Sequence, residues 1–201
     1  MVRRSMNELP DSLDETYERV LKEIRQTNRG HVHRLLQCLS VAIRPLHVDE
    51  LVAILTFNLD AIEGEIPTLD ADSWPEDREQ ELLSACPSLI TIVDSYNSRV
   101  VRCSHFSLKE FLTSDRLATS NEDISRCHIF SDAAHTTLAQ ASLADLRLDD
   151  YINRSNARHP LANYAAKYWV SHAYRRALCI QSRLFDADKP PCVRDISHSP
   201  T

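Results

Sequence analysis

The sequence predicts a mainly α-helical protein, a winged helix of three helices plus a β-hairpin, followed by an α-helical bundle or linker. Three observations carry this. Apolar residues recur at helical spacing three times before residue 57, two short strand-like runs then follow one another, and helical periodicity resumes to about residue 183. The domain reading is a winged helix over 9–117 and a helical linker over 118–186. Residues 1–8 and 187–201 lack periodicity and are expected to be disordered or a truncated tail.

The first helix opens on Ser12 and Glu15, the spacing of a capping box, and repeats Leu13, Tyr17, Val20, Leu21 and Ile24. Asn28 to Gly30 is the expected stop. A second helix places Val32, Leu35, Leu36, Leu39 and Ile43 on one face and ends at Arg44-Pro45. A third, over about 48–56, carries Val48, Leu51, Val52 and Leu55. The segment 57–78, with Pro67 and Pro75, has no sustained period and reads as loop, followed by a short helix over 79–85.

Leu89 to Asp94 and Arg99 to Ser104 read as strands joined by Ser-Tyr-Asn-Ser, a hairpin in which Asn97 suits the left-handed turn position. After the hairpin, Ser107 and Glu110 have capping-box spacing, with Leu108, Phe111 and Leu112 behind them. One amphipathic stretch spans about 122–144. Another, about 160–183, starts near Pro160 and places Leu161, Tyr164, Ala165, Tyr168 and His172 on one face.

Composition excludes several functions. With two glycines, Gly30 and Gly64, the chain cannot assemble a phosphate-binding P-loop, a dinucleotide-binding turn or a GxSxG nucleophile elbow. The longest apolar runs, LVAIL and LITIV, are far short of a membrane span, and the N-terminus lacks the apolar stretch of a secretory signal. Six widely spaced cysteines without a Cys-x-x-Cys read as free thiols. A cytoplasmic protein with no membrane association is expected.

The net charge of −6 is uneven, with nine acidic residues and one arginine between Asp60 and Glu81. A solvated acidic surface is the plain reading of that stretch. The third helix, HVDELVAIL, carries no arginine or lysine, so no nucleic-acid contact is expected through it.

The remaining candidates for chemistry are histidines and aromatics. His31, His33 and Cys38 fall short of a metal-ligand set, because positions i and i+2 diverge on a helix. Cys103 and His105 share a strand face but lack an oxyanion hole and an orienting third group, so no catalytic residue is assigned. Tyr164, Tyr168, Trp169 and Tyr174 read as packing between helices. His105 stands where strand meets helix, two positions before Ser107, and is either a ligand contact near a helix N-terminus or a packed junction histidine.

Four separated stretches add a resemblance. LPDSLDETYERVLKEI is similar to the segment behind the nucleotide-binding domain of fungal NACHT proteins of the STAND class, NLR-like receptors that often carry ankyrin repeats. CSHFSLKEFLTSDRL resembles their winged-helix signature, and AHTTLAQASLADL with HPLANYAAKYWVSHA resembles the helical region before the repeats. LFDADKP resembles the end of that region, so the likeness runs over about residues 9–190. The winged-helix part also resembles the domain named after GPI inositol-deacylase.

The resemblance implies a non-catalytic regulatory module that clamps a nucleotide-binding domain and relays its state to a repeat sensor. It implies that His105 contacts the phosphates of ADP held by a NACHT domain. The chain itself is expected to hold no cofactor or metal, ADP or ATP entering only with that domain. NACHT and ankyrin-type repeats of a parent or related protein are the implied partners. The chain shows neither a P-loop nor ankyrin repeats, and PCVRDISHSPT departs from the pattern, as in a fragment or a shortened paralogue. A free-standing protein-interaction module is the alternative.

Overall fold

The computed structural model describes residues 13–59, 68–69, 75–96, 98–152 and 159–187. Helix α1 (Leu13–Glu23) is followed by a 3-10 turn at Gln26–Asn28 and by α2 (Arg29–Val41). The stop predicted at Asn28–Gly30 is thus a start: Gly30 lies in the first turn of α2. A Cβ there would meet nothing within 4 Å, so the position does not require glycine. The Ser12 half of the predicted capping box lies outside the described residues.

Helix α2 ends at Val41, two residues earlier than its apolar stripe suggests. Ala42 leaves the helical region (ψ 133°), and Ile43 is exposed. Pro45 sets only the outer limit, because Arg44 before it is pushed toward extended geometry.

Strand β1 (Leu46–His47) leads into α3 (Val48–Thr56), whose bounds match the sequence reading. All of α3 except Asp49 is buried, as a helix apolar around most of its circumference must be. The segment read as loop also contains order. Strand β2 (Phe57–Asn58) pairs antiparallel with β3 (Thr68–Leu69), and residues 60–67 between them lie outside the described ones. Phe57 is buried, so this small sheet is tied to the core by an anchor that acidic composition concealed.

Helix α4 (Arg78–Ala85) begins on Asp77, whose side chain accepts the Gln80 backbone N–H at 3.0 Å. The hairpin follows as β4 (Ile90–Ser95) and β5 (Ser98–Cys103), in a three-stranded antiparallel sheet of order β1-β5-β4. Val101 faces Leu46 on one side and Ile92 on the other, fixing the register. At the turn, Tyr96 takes the left-handed conformation (φ 50°); the predicted Asn97 lies outside the described residues.

Beyond the sheet come α5 (Phe106–Leu112), α6 (Asp115–Ala118), α7 (Glu122–Ser125), α8 (Ser131–Ile152) and α9 (Ala162–Ala187). The helix predicted over 122–144 is therefore two helices with a break at 126–130. The break has a tertiary cause. The Ile129 N–H donates to the Leu112 carbonyl at 2.9 Å, and His33 Nε2 donates to the His128 carbonyl at 3.2 Å, which holds this stretch out of helix.

One continuous core joins all of this. Leu35, Leu36, Leu51, Ile54, Leu108 and Leu112 are buried together with Leu138 and Tyr164 from the last two helices and Leu161 from the turn before α9. Each such large side chain contributes about 2 kcal/mol on burial. Helix α8 packs against both α2 and α9, so the helical region is seated directly on the winged helix. Among the described residues no helix is long and apolar enough to cross a membrane.

Candidate functional site

The β5–α5 junction carries the residue singled out by sequence. His105 is extended (φ −143°, ψ 145°) and is itself the N-cap of α5. Its Nδ1 accepts the Ser107 backbone N–H at 3.2 Å and lies 2.7 Å from Ser107 Oγ. The predicted capping box is corrected by this: Ser107 is the second residue of the helix, not its cap. The strand runs to Cys103, so the helix must begin within three residues, and the imidazole is the nearest acceptor for the exposed amides.

Ser107 Oγ also lies 2.9 Å from the Tyr17 hydroxyl, from buried Tyr17 on α1, whose ring packs against Phe111 at 5.4 Å. The bonds orient themselves. Nδ1 accepts from Ser107, so a neutral ring carries its proton on Nε2. His105 is exposed, and Nε2 has no hydrogen-bond partner among the described residues. The junction presents a solvent-facing N–H donor whose tautomer is set by the Ser107 backbone N–H.

Neither of the other two pairings from sequence forms a reactive group. Cys103 is a half-buried free thiol, and burial pushes its pKa up, opposite to the shift that activates a thiolate. His105 Nδ1 is already engaged by Ser107. On α2, His33 is used in the bond to His128, and His31 is exposed. No group of three metal-ligating side chains occurs among the described residues.

A second polar constellation lies between the winged helix and the last two helices, and sequence reasoning saw only its outline. His172 is fully buried on α9; its Nδ1 is 2.9 Å from His135 Nδ1 on α8, and its Nε2 is 2.9 Å from the Tyr164 hydroxyl. That hydroxyl accepts the Ile43 N–H at 3.3 Å, so its own proton goes to His172 Nε2. His172 Nδ1–H then donates to His135, which completes a one-directional relay from the α2–β1 turn to α8.

Desolvation pushes the pKa of His172 down to about 4, and neighbouring His135 and Arg175 add to this. His135 is lowered for the same reason, with Arg175 and Lys109 contributing. Burial pushes Tyr164 up to about 12. The relay is therefore neutral near pH 7.

Arg44 anchors the other end. Its guanidinium sits 5.0 Å from the Tyr164 ring centroid and makes a bidentate pair with Glu50 at 2.5 and 2.7 Å. Glu50, buried in the first turn of α3, also accepts the His47 N–H at 2.9 Å, closing a capping box with His47 as N-cap. One carboxylate thus fixes the start of α3 and the arginine stacked on α9. Tyr164 and Tyr168 pack as expected from sequence, with ring centroids 4.9 Å apart, whereas Tyr174 is 64% exposed and is not core.

The family model described as "GPI inositol-deacylase, winged helix domain" matches residues 17–123, which include α1 from Tyr17 through the His105 junction to α7. The chain is also similar to "Azaphilone pigments biosynthesis cluster protein L" of Monascus ruber, 32% identical over 177 residues. That likeness covers 83% of this chain but 36% of the relative, so the chain spans about a third of the relative's length. No solved structure matches. With more than half of its residues inside the family match, and with three helices, a hairpin and a β1-β5-β4 sheet in place, the chain belongs to the GPI inositol-deacylase winged-helix domain family.

Proposed function

We propose that the chain is a non-catalytic regulatory module that clamps the nucleotide-binding domain of a NACHT-type signal-transduction NTPase and relays its state to a repeat sensor in the cytoplasm. The observation that carries this reading is the His105 junction. Its imidazole is exposed, and its Nδ1 is locked by Ser107, leaving Nε2–H for an acceptor supplied from outside the described residues. A phosphate oxygen of ADP held by the partner domain is that acceptor. The chain contributes no cofactor of its own.

The relay from Ile43 through Tyr164 and His172 to His135 supports the second half of the role, because it ties the winged helix to α8 and α9 by directional bonds. A rigid connection is what transmits a shift of the winged helix to whatever follows α9. The burial of α3 supports a protein partner rather than DNA, since a recognition helix needs an exposed face.

The test uses a receptor that carries this module behind a NACHT domain. His105→Leu should reduce the ADP that copurifies and raise resting signalling. Unchanged nucleotide content together with unchanged signalling refutes the reading. A free-standing interaction module is the second reading, favoured by the exposed apolar residues Val170, Tyr174 and Leu178 spaced four apart along α9. A stable monomer that binds no nucleotide-binding domain but captures another protein through that face would favour it.

A further inference from the structure

Next to His105 lies an open groove of about 300 Å³ between the α2–β1 turn, β5 and the first turns of α5. Its apolar lining includes Leu46 and Val101, both buried, and Ile43 and Phe106, which are exposed. Phe106 is 75% exposed although it is a large aromatic at the start of a helix. Three cations, Arg44, Arg102 and Lys109, stand around this apolar strip.

The cations are not equivalent. Arg44 is committed to Glu50. Arg102 and Lys109 are exposed and have no carboxylate partner among the described residues. Elsewhere on the surface, Arg78 pairs with Asp49, Arg99 with Glu79, Arg116 with Asp14 and Arg126 with Asp123. In a chain of net charge −6, this groove sets two cations without a carboxylate partner among the described residues beside an exposed aromatic ring and an apolar floor.

We propose that this groove binds an acidic polypeptide segment that inserts one large apolar side chain between Ile43 and Phe106 and places its carboxylates on Arg102 and Lys109. The volume is at the small end for ligand sites and fits a single anchor residue. A buried apolar anchor ringed by charge-paired polar contacts is the arrangement that concentrates binding energy in protein interfaces. A membrane is a poorer occupant, because two cations give little attraction to anionic lipid and the apolar strip is concave. The proposal rests on reading the chain as a module that works through contact with another polypeptide. It needs no nucleotide, so it can fail while the His105 role stands, and the reverse.

The full chain is titrated by fluorescence anisotropy against labelled peptides with a central Phe-Leu or Trp-Leu pair flanked on both sides by Glu and Asp. Saturable binding is expected, with protection of Phe106 and Lys109 signals in an amide NMR map. Replacing the peptide acids by Lys should abolish it. Arg102→Glu with Lys109→Glu, both at exposed positions, should weaken it at least about tenfold without changing the circular dichroism spectrum. Phe106→Ser should weaken it while leaving the charge preference. The proposal is overturned by absence of saturable binding to the wild type, by equal binding of the Lys peptide, by an unchanged double variant, or by preference for vesicles containing phosphatidylserine over the acidic peptides.

Discussion

Acidification should loosen the joint between the winged helix and the last two helices through His172. The ring is fully buried and accepts the Tyr164 proton, and its folded pKa is lowered to about 4 from the ordinary 6.5. The sign follows from the depressed folded value. The unfolded chain binds the proton more readily, so the contribution is present above about pH 6.5 and is lost as pH falls toward 4. Between pH 7 and pH 5 the difference is about 2 kcal/mol, or a fall in Tm of about 4–8 °C for a chain of this size.

The groups facing the ring are His135 from α8, Arg175 from its own helix and Tyr164, with Lys109 from α5 acting on His135. None is a carboxylate that would favour protonation. The assay is thermal unfolding of wild type and His172→Gln from pH 5 to pH 7.5, with the His172 pKa read by NMR in the wild type. The variant should be less stable at pH 7 and should lose about 2 kcal/mol of the wild type's pH dependence. A His172 that titrates above pH 6, or equal pH slopes for the two proteins, would refute the reasoning.

Other outcomes follow from single contacts. His105→Ala should lower stability by about 1 kcal/mol through loss of the α5 cap, while His105→Asn should retain it, as checked by urea unfolding. Glu50→Ala removes the partner of Arg44 and the α3 capping box together and should cost about 3 kcal/mol; Glu50→Gln should recover part of this. Tyr164→Phe leaves the Ile43 N–H and His172 Nε2 without their partner and should cost about 2 kcal/mol in the same assay.

Sequence reasoning reached the elements that local pattern determines. Helix α3 reads correctly because its apolar residues, its acidic first turn and its flanking Pro45 all agree. The hairpin was legible within one residue at each end, since β-branched alternation and a polar turn suffice to define it. The break before α8 was not legible, because it depends on Ile129 bonding a carbonyl 17 residues earlier.

The site divides the same way. Sequence located His105 at the strand–helix junction, but not its use as a cap, which depends on how close the end of β5 brings Ser107. The His135–His172 contact joins residues 37 apart and exists only because α8 and α9 pack side by side. His172 on the Leu161–Tyr164–Tyr168 face was the one signal available for it. Arg44 and Glu50 gave none, since their partnership depends on a turn whose early end was missed.

The central claim is that His105 holds a phosphate of ADP in a partner nucleotide-binding domain, and the dissociation rate of ADP measures this most directly. In a receptor carrying this module behind a NACHT domain, fluorescent ADP should leave His105→Asn at least about tenfold faster than wild type, a loss of about 1.4 kcal/mol, because Asn keeps the α5 cap but removes the Nε2 donor. Equal rates for the two proteins, with both helices intact, would contradict the account.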